Sequence, residues 1–305
     1  QDEKDVPYKS KVPGVMHACG HDAHTASLLV LGKILNESKD QLQGTVVLLH
    51  QHAEELPPGG AISILQSGAL EQVDAIFGNH FRSTKPVGKV TTRAGEIMAG
   101  ADRFTITIHG KGGHGAQPQE TKDAVVIGSE LVQALQKIVS RHISPIDTAV
   151  LTIGKFKSGN AFNIIADHAE LEGTIRYLNR DVKERIKESL YKTVEGICLA
   201  NEASFDIDYV DGYPPLVNSE KEAELIFKSN ELLPDSIQVI ESELQLASED
   251  FAYYTEQIDG AFFFTGAKKD DAAYPHHHPR FDIDERAMPI AAKSFFTAYS
   301  LYQQE

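Results

Sequence analysis

Apolar positions recur in two different rhythms along this chain, and the rhythm changes near residue 100. Before that point, short apolar runs alternate with helical stretches. Residues 1–16 carry Pro7, Pro13 and Gly14 and read as a loop. Ala26, Leu28, Leu29, Leu31, Ile34 and Leu35 fit one helix over 24–36. Residues 45–50, TVVLLH, form a nearly continuous apolar run, the mark of a strand buried on both faces. Pro57-Pro58-Gly59-Gly60 breaks the chain before an apolar helix over 61–70. A second buried strand is predicted over 73–77, ending in Gly78-Asn79-His80. Such alternation predicts an α/β domain with a mostly parallel sheet and helices on both faces. Ligands of these sheets bind beyond the carboxyl ends of the strands, where Glu54-Glu55 and His80 fall.

From residue 103 the period becomes two. Phe104, Ile106 and Ile108 alternate with Thr105, Thr107 and His109, as in a half-buried antiparallel strand. A Gly-rich loop over 110–115 follows, then an amphipathic helix over 122–140 with Ala124, Ile127, Leu131, Leu135 and Ile138 on one face. Strands are predicted over 148–156 and 169–178, a helix over 181–201, and a last alternating strand over 204–210. The order β-α-β-β-α-β is the split βαβ, or ferredoxin-like, arrangement. It predicts an inserted domain at 100–211, between two parts of one α/β domain at 1–99 and 212–305. After Gly212-Tyr213-Pro214-Pro215, helices are predicted over 220–233, 249–257 and 286–301, with a buried strand over 261–265 and a loop over 273–279.

Composition narrows the function. The 305 residues are 41% hydrophobic and 24% charged, a globular balance. A net charge of −15 argues against nucleic acid or an anionic membrane surface as partner. No apolar run reaches the length of a membrane span. Gln1-Asp2-Glu3-Lys4-Asp5 does not read as a signal peptide, and Cys19 and Cys198 are too few for a disulfide scaffold, so a cytoplasmic protein is expected. Cys198, on a helix face with Val194 and Ile197, reads as core.

The chemistry gathers around residues 17–24, HACGHDAH. Three histidines, a cysteine and an aspartate within eight residues are borderline and soft ligands, suited to a transition metal. Nine of the 13 histidines lie in four short places, at 17–24, 50–52, 80 and 276–278, each predicted to be a loop or a strand end. Singly, each reads as an ordinary core or surface histidine. Together with Cys19, Glu54 and Glu55 they can supply two metal ions, as in hydrolases that activate a bridging water. Adjacent carboxylates on an extended backbone point opposite ways. One of Glu54 and Glu55 can then ligate metal while the other acts as general base. The Gly-rich loop fits neither the Walker nor the dinucleotide spacing, and the glycines can instead hold His114 over an active site. Asn163 and Arg176 are the other polar candidates of the inserted domain. Arg176 offers a planar fork to a carboxylate.

These stretches make the chain similar to the metal-dependent amidohydrolases of the M20 peptidase family. The likeness is to its branch of aminoacylases, hippurate hydrolases and auxin-conjugate hydrolases. It is carried by PGVMHACGHDAHTA, LLHQHAEE, GNH, HGKGGHGAQP, NIIADHAELEGTIR, SEDFAYY and PHHHPRFDIDE. The resemblance implies two divalent metals per chain, manganese, zinc, cobalt or nickel, held by Cys19, His21, Glu55, His80 and His277, with Cys19 bridging. His277 is chosen over His276 and His278 because it stands two places before Pro279. Glu54 corresponds to the catalytic base. His114 corresponds to a residue that reaches the reacting carbonyl, in some relatives from the partner subunit. Asn163 and Arg176 correspond to groups holding a substrate carboxylate. The inserted domain is implied to be a lid and to make a homodimer. The family pattern has further strands before the point where this chain starts, with a supporting aspartate that has no counterpart here, and Ala166 stands where relatives often have Pro.

The implied activity is hydrolysis of the amide bond of N-acyl amino acids. A dipeptidase or carboxypeptidase on the same scaffold is the alternative, and a metal-binding protein without catalysis is another. A cysteine-nucleophile enzyme built on Cys19 leaves Glu54, Glu55 and His80 unexplained.

Overall fold

Gly20 sets where the first helix begins. Its backbone is left-handed (φ 98°), which glycine adopts without steric cost, and it turns the chain from Cys19 into α1, His21–Glu37. The computed structural model describes residues 1–270 and 273–304. After α1 come α2 (Ala61–Gln66), β1 (Ile76–Pro86), β2 (Lys89–Thr92) and β3 (Gly95–Met98). The middle of the chain holds β4 (Gly100–His109), β5 (Gly113–His114), α3 (Ala124–Lys137), β6 (Ala149–Ser158), β7 (Ile164–Ile165), β8 (His168–Tyr177), α4 (Arg180–Ala200) and β9 (Ser204–Val210). The last part holds β10 (Leu216–Asn218), α5 (Glu220–Lys228), β11 (Gln238–Glu241), α6 (Ala252–Thr255), β12 (Gly260–Lys268) and α7 (Ala287–Tyr302).

The first sheet has the order β1-β12-β2-β11. Its β1–β12 and β2–β11 ladders are parallel, and its β12–β2 ladder is antiparallel. The α/β class therefore stands, but the sheet is mixed rather than mostly parallel, because β12 meets β2 head to tail. Strand β12 is buried on both faces, as its run AFFFT requires. Phe262 and Phe264 pack with Leu70 and Tyr254 on one side. Ala261 and Phe263 pack with α5 and α7 residues, among them Ile226 and Ala298, on the other. A second sheet, β6-β8-β4-β9, is antiparallel throughout. It shares one hydrophobic cluster with α3 and α4, centred on Phe104, Ile106, Leu131, Leu171 and Leu190. Asp123 caps α3 by accepting from Val125 and Val126 N–H, an arrangement worth about 1 kcal/mol.

Four predicted elements differ. Residues 45–50 form no strand, and Val46 and Val47 are exposed. A strand is stable only when its backbone groups find a ladder, and this run packs on α1 instead, with Leu48 against Gly32. A cavity of about 650 Å³ lies between this segment, α1 and β1, lined by Leu31, Val47, Ile76 and Phe295 among others. Strand β1 starts three residues later than predicted and runs on to Pro86, so His80 lies inside the strand rather than beyond its end. The helices predicted over 61–70 and 249–257 shorten to α2 and α6, with turns completing each. Among the described residues, no helix is long and apolar enough to cross a membrane.

Candidate metal centre

Four segments converge at the amino end of α1. Cys19 precedes the helix and His21 opens it. His80 comes from β1. Glu54 and Glu55 come from the turn after the irregular segment, and His276 and His277 from the loop before α7. The donor atoms of Cys19, His21 and His80 lie within 4.8 Å of one another. So do those of Cys19, Glu55 and His277, and those of His21, Glu54 and Glu55. Cys19 Sγ is 3.4 Å from His80 Nε2. His21 Nε2 is 3.7 Å from a carboxylate oxygen of each of Glu54 and Glu55. His277 Nε2 is 3.2 Å from Glu55. The predicted ligands Cys19, His21, Glu55, His80 and His277 and the predicted base Glu54 are thus brought together.

The backbone is bent to achieve this. Ala53 (φ 57°) and His277 (φ 66°) are both left-handed, a costly conformation for a side chain with a Cβ. Each lies next to or within the cluster. His277 N–H donates to the Ala18 carbonyl at 2.7 Å, fastening this loop beside Cys19.

The peptide of Phe81 orders the imidazoles. Its carbonyl accepts from His80 Nδ1 at 2.7 Å and from His276 Nε2 at 2.9 Å. Its N–H donates to His24 Nε2 at 3.1 Å. With Nδ1 protonated, His80 turns a lone pair on Nε2 toward Cys19. Burial holds all three rings neutral. It lowers His80 to about 3 and His276 to about 4, and pushes His24 well below its ordinary value. Neutral imidazole is the form that binds metal.

The acidic side is the reverse. Burial first, then the neighbouring Glu55 and Asp250 charges, raise Glu54 to about 7. Burial and the Glu54 and Asp250 charges push Glu249 well above the usual carboxylate range. Burial and the Glu55 and Glu54 carboxylates raise the Cys19 thiol. Among the described residues, Glu54 and Glu55 form ion pairs with His21 and His277 alone. Lone pairs of imidazoles, a thiol and carboxylates thus face one point without a lysine or arginine among their ion pairs. That donor set fits divalent transition metals.

The remaining candidates lie elsewhere. Arg176, on β8, reaches Ser248 Oγ with Nη1 at 3.1 Å, next to the buried Glu249-Asp250 pair. His114 and Asn163 are exposed and adjoin each other, with Gly115 N–H bonded to the Asn163 carbonyl at 2.9 Å. Neither belongs to the donor groups above. His114 Nδ1 accepts from Ala116 N–H, which leaves Nε2 as the protonated nitrogen.

Sequence reasoning counted His24 only among the clustered histidines and gave no role to Glu249 or Asp250. Asp250 is buried and accepts from the Gln51 amide at 2.8 and 2.6 Å and from Ala61 N–H at 3.2 Å, tying the segment before the glutamates to the start of α2. The signal was available in SEDFAYY, where two acidic residues precede an aromatic run with no solvent-facing period.

A model of "Peptidase family M20/M25/M40" matches residues 1–300. The chain is 50% identical to "Putative amidohydrolase YhaA" of Bacillus subtilis, over 100% of this chain and 77% of that protein. It is 39% identical to the N-acetyl-L-cysteine deacetylase of the same organism, over 97% of this chain and 69% of the relative. The crystal structure of Bacillus subtilis YxeP, described as a dinuclear metal binding peptidase from the M20 family, superposes with a TM-score of 0.85 at 32% identity. That match covers 100% of this chain and 78% of the other.

Proposed function

The chain belongs to peptidase family M20/M25/M40, whose membership implies divalent metals and hydrolysis of amide bonds, and we propose that its substrates are N-acyl amino acids. The observation that carries this reading is the meeting of Cys19, His21, Glu54, Glu55, His80 and His277 at one point. In this reading Cys19, His21, Glu55, His80 and His277 hold two metals. Cys19 is common to the donor groups of His80 and His277, which suits a bridging ligand. Bound metals supply a water of lowered pKa. Glu54 takes a proton from the attacking water and returns it to the leaving nitrogen, so that the amide and water become a carboxylic acid and an amine.

Arg176 holds the free carboxylate of the substrate, with Asn163 as its companion. Support comes from the half-buried guanidinium beside Ser248, on the side of the acidic pair. His114 meets the developing oxyanion. It is exposed on this chain, beside the fully exposed Phe162, which favours its acting on a partner subunit's site. Residues 100–211 are accordingly read as an inserted lid that also makes a homodimer.

The test is free-amine release from N-acetyl, N-benzoyl and indoleacetyl amino acids, with added Mn²⁺ and then with EDTA. Chelator-sensitive release is expected, and no release from a metal-loaded protein would overturn the reading. A peptidase activity is the second reading, favoured by the likeness to YxeP, which is described as a peptidase. A dipeptide that reacts faster than its acetylated analogue would establish it.

A further inference from the structure

The chain enters the second sheet at Gly100 and leaves it at Val210, and the two crossovers run side by side. Ala101 N–H donates to the Tyr213 carbonyl at 2.9 Å. Gly212 N–H donates to the buried Asp102 carboxylate at 2.9 Å. A Cβ on Gly212 would stand 2.0 Å from the Ala101 carbonyl oxygen, so only glycine admits this approach. Tyr253 braces the joint, its ring edge-on to Tyr213 at 6.0 Å and its hydroxyl donating to the Gly212 carbonyl at 3.3 Å.

Tyr213 itself is buried, and its side chain leaves the joint for the metal centre. Its hydroxyl donates to the Glu54 carbonyl at 2.6 Å. That carbonyl belongs to the turn in which Ala53 is left-handed and Leu56 N–H bonds back to the Ala53 carbonyl at 3.3 Å. A turn strained in this way persists only when its surroundings hold it. Glu54 and Glu55 leave this turn side by side, sharing His21, and Glu55 also meets His277, so a small rotation of the turn moves both carboxylates.

We propose that Tyr213 is a positioning residue. Its hydroxyl anchors the 53–55 turn to the crossover joint, and so sets where the Glu54 carboxyl stands relative to the reacting amide. The proposal rests on the reading of Glu54 as the base. It also links the placement of residues 100–211, which join the rest of the chain here, to the placement of that base.

The test is Tyr213→Phe, which keeps the ring and its contact with Tyr253 and removes one hydroxyl. In metal-loaded protein, kcat for an N-acyl amino acid is expected to fall roughly tenfold, as small displacements of a catalytic group do, with KM changed less than twofold. Amide hydrogen exchange supplies a readout that needs no activity. The Leu56 and Gly59 amides are expected to exchange faster in the variant. Unchanged exchange overturns the proposal, and so does faster exchange with an unchanged kcat, or a loss confined to KM. If the unsubstituted protein releases no amine from any acyl amino acid, the proposed function falls instead, and exchange alone decides whether the hydroxyl holds the turn.

Discussion

His276 and His277 are neighbours in sequence and face different partners: His276 Nε2 meets the Phe81 carbonyl at 2.9 Å, whereas His277 Nε2 meets the Glu55 carboxylate at 3.2 Å. The left-handed backbone at His277 makes this divergence. One imidazole is spent on orienting the peptide that also orients His80, and the other offers a ligand atom. His277→Ala is therefore expected to weaken metal binding more than His276→Ala. Loss of an orienting partner costs roughly 10- to 100-fold in affinity, and loss of a ligand more. Metal content after dialysis against a fixed free Zn²⁺ concentration checks the order, and equal losses would contradict it.

Glu54→Gln keeps the size of the side chain and removes its basicity. Glu54 adjoins Glu55 but belongs to only one of the donor groups, with His21 and Glu55. Turnover is expected to fall by about 10² to 10⁴, the usual contribution of a positioned base, while bound metal stays at the level of the unsubstituted protein. Parallel metal analysis and amine-release assays check it. Full activity in the variant would remove Glu54 from the mechanism.

Much of this centre was legible in the sequence because its donors come in short, chemically dense runs. HACGHDAH, HAEE and PHHHP each carry more ligand-forming groups than a surface loop needs, and every donor predicted from them arrives at one place. Less legible were features that depend on partners far along the chain. The strand expected at 45–50 is absent because a run of apolar residues states a wish for burial, not which neighbour will bury it. Here α1 takes Leu48, and no ladder forms. The sheet was expected to be mostly parallel because its strands alternate with helices. The β12–β2 pairing is antiparallel, and the direction of a pair between residues 90 and 265 cannot be read from either strand alone. His24 and Asp250 were missed for a related reason. Their hydrogen-bonding partners, Phe81 and Gln51, are 57 and 199 residues away.

On the proposed reading, Arg176 separates substrate recognition from chemistry. Its guanidinium is half-buried and donates to Ser248, in the loop between β11 and α6, and burial lowers its pKa. Arg176→Ala is expected to raise KM for an N-acyl amino acid at least tenfold, in line with a hydrogen bond to a charged group. Arg176→Lys should recover little of this, because a point charge cannot reproduce the fork. The same substitutions should leave an acylated amine without a carboxylate almost unaffected. Steady-state kinetics with both substrates checks it, and a loss of equal size on both would argue against carboxylate binding.

The metal-free protein should show opposed pH dependences from its two kinds of buried group. In the unfolded chain His80 and His276 titrate near 6.5, and in the fold near 3 and 4, so between those values the unfolded state binds more protons. Stability from these rings is complete above 6.5 and is lost as pH falls toward 4. Glu54 acts in the other sense, since its folded pKa of about 7 lies above the ordinary 4.5. Its contribution is complete below 4.5 and is lost as pH rises through 7, because the fold resists its ionisation. Glu54→Gln removes only the second effect. In EDTA-treated protein its melting temperature should match that of the unsubstituted chain near pH 4.5 and exceed it near pH 8, by a few degrees, since a shift of this size is worth about 3 kcal/mol. Thermal unfolding of both proteins across this range checks the sign. A difference that is constant with pH would mean that Glu54 is not the group whose ionisation strains the metal-free centre.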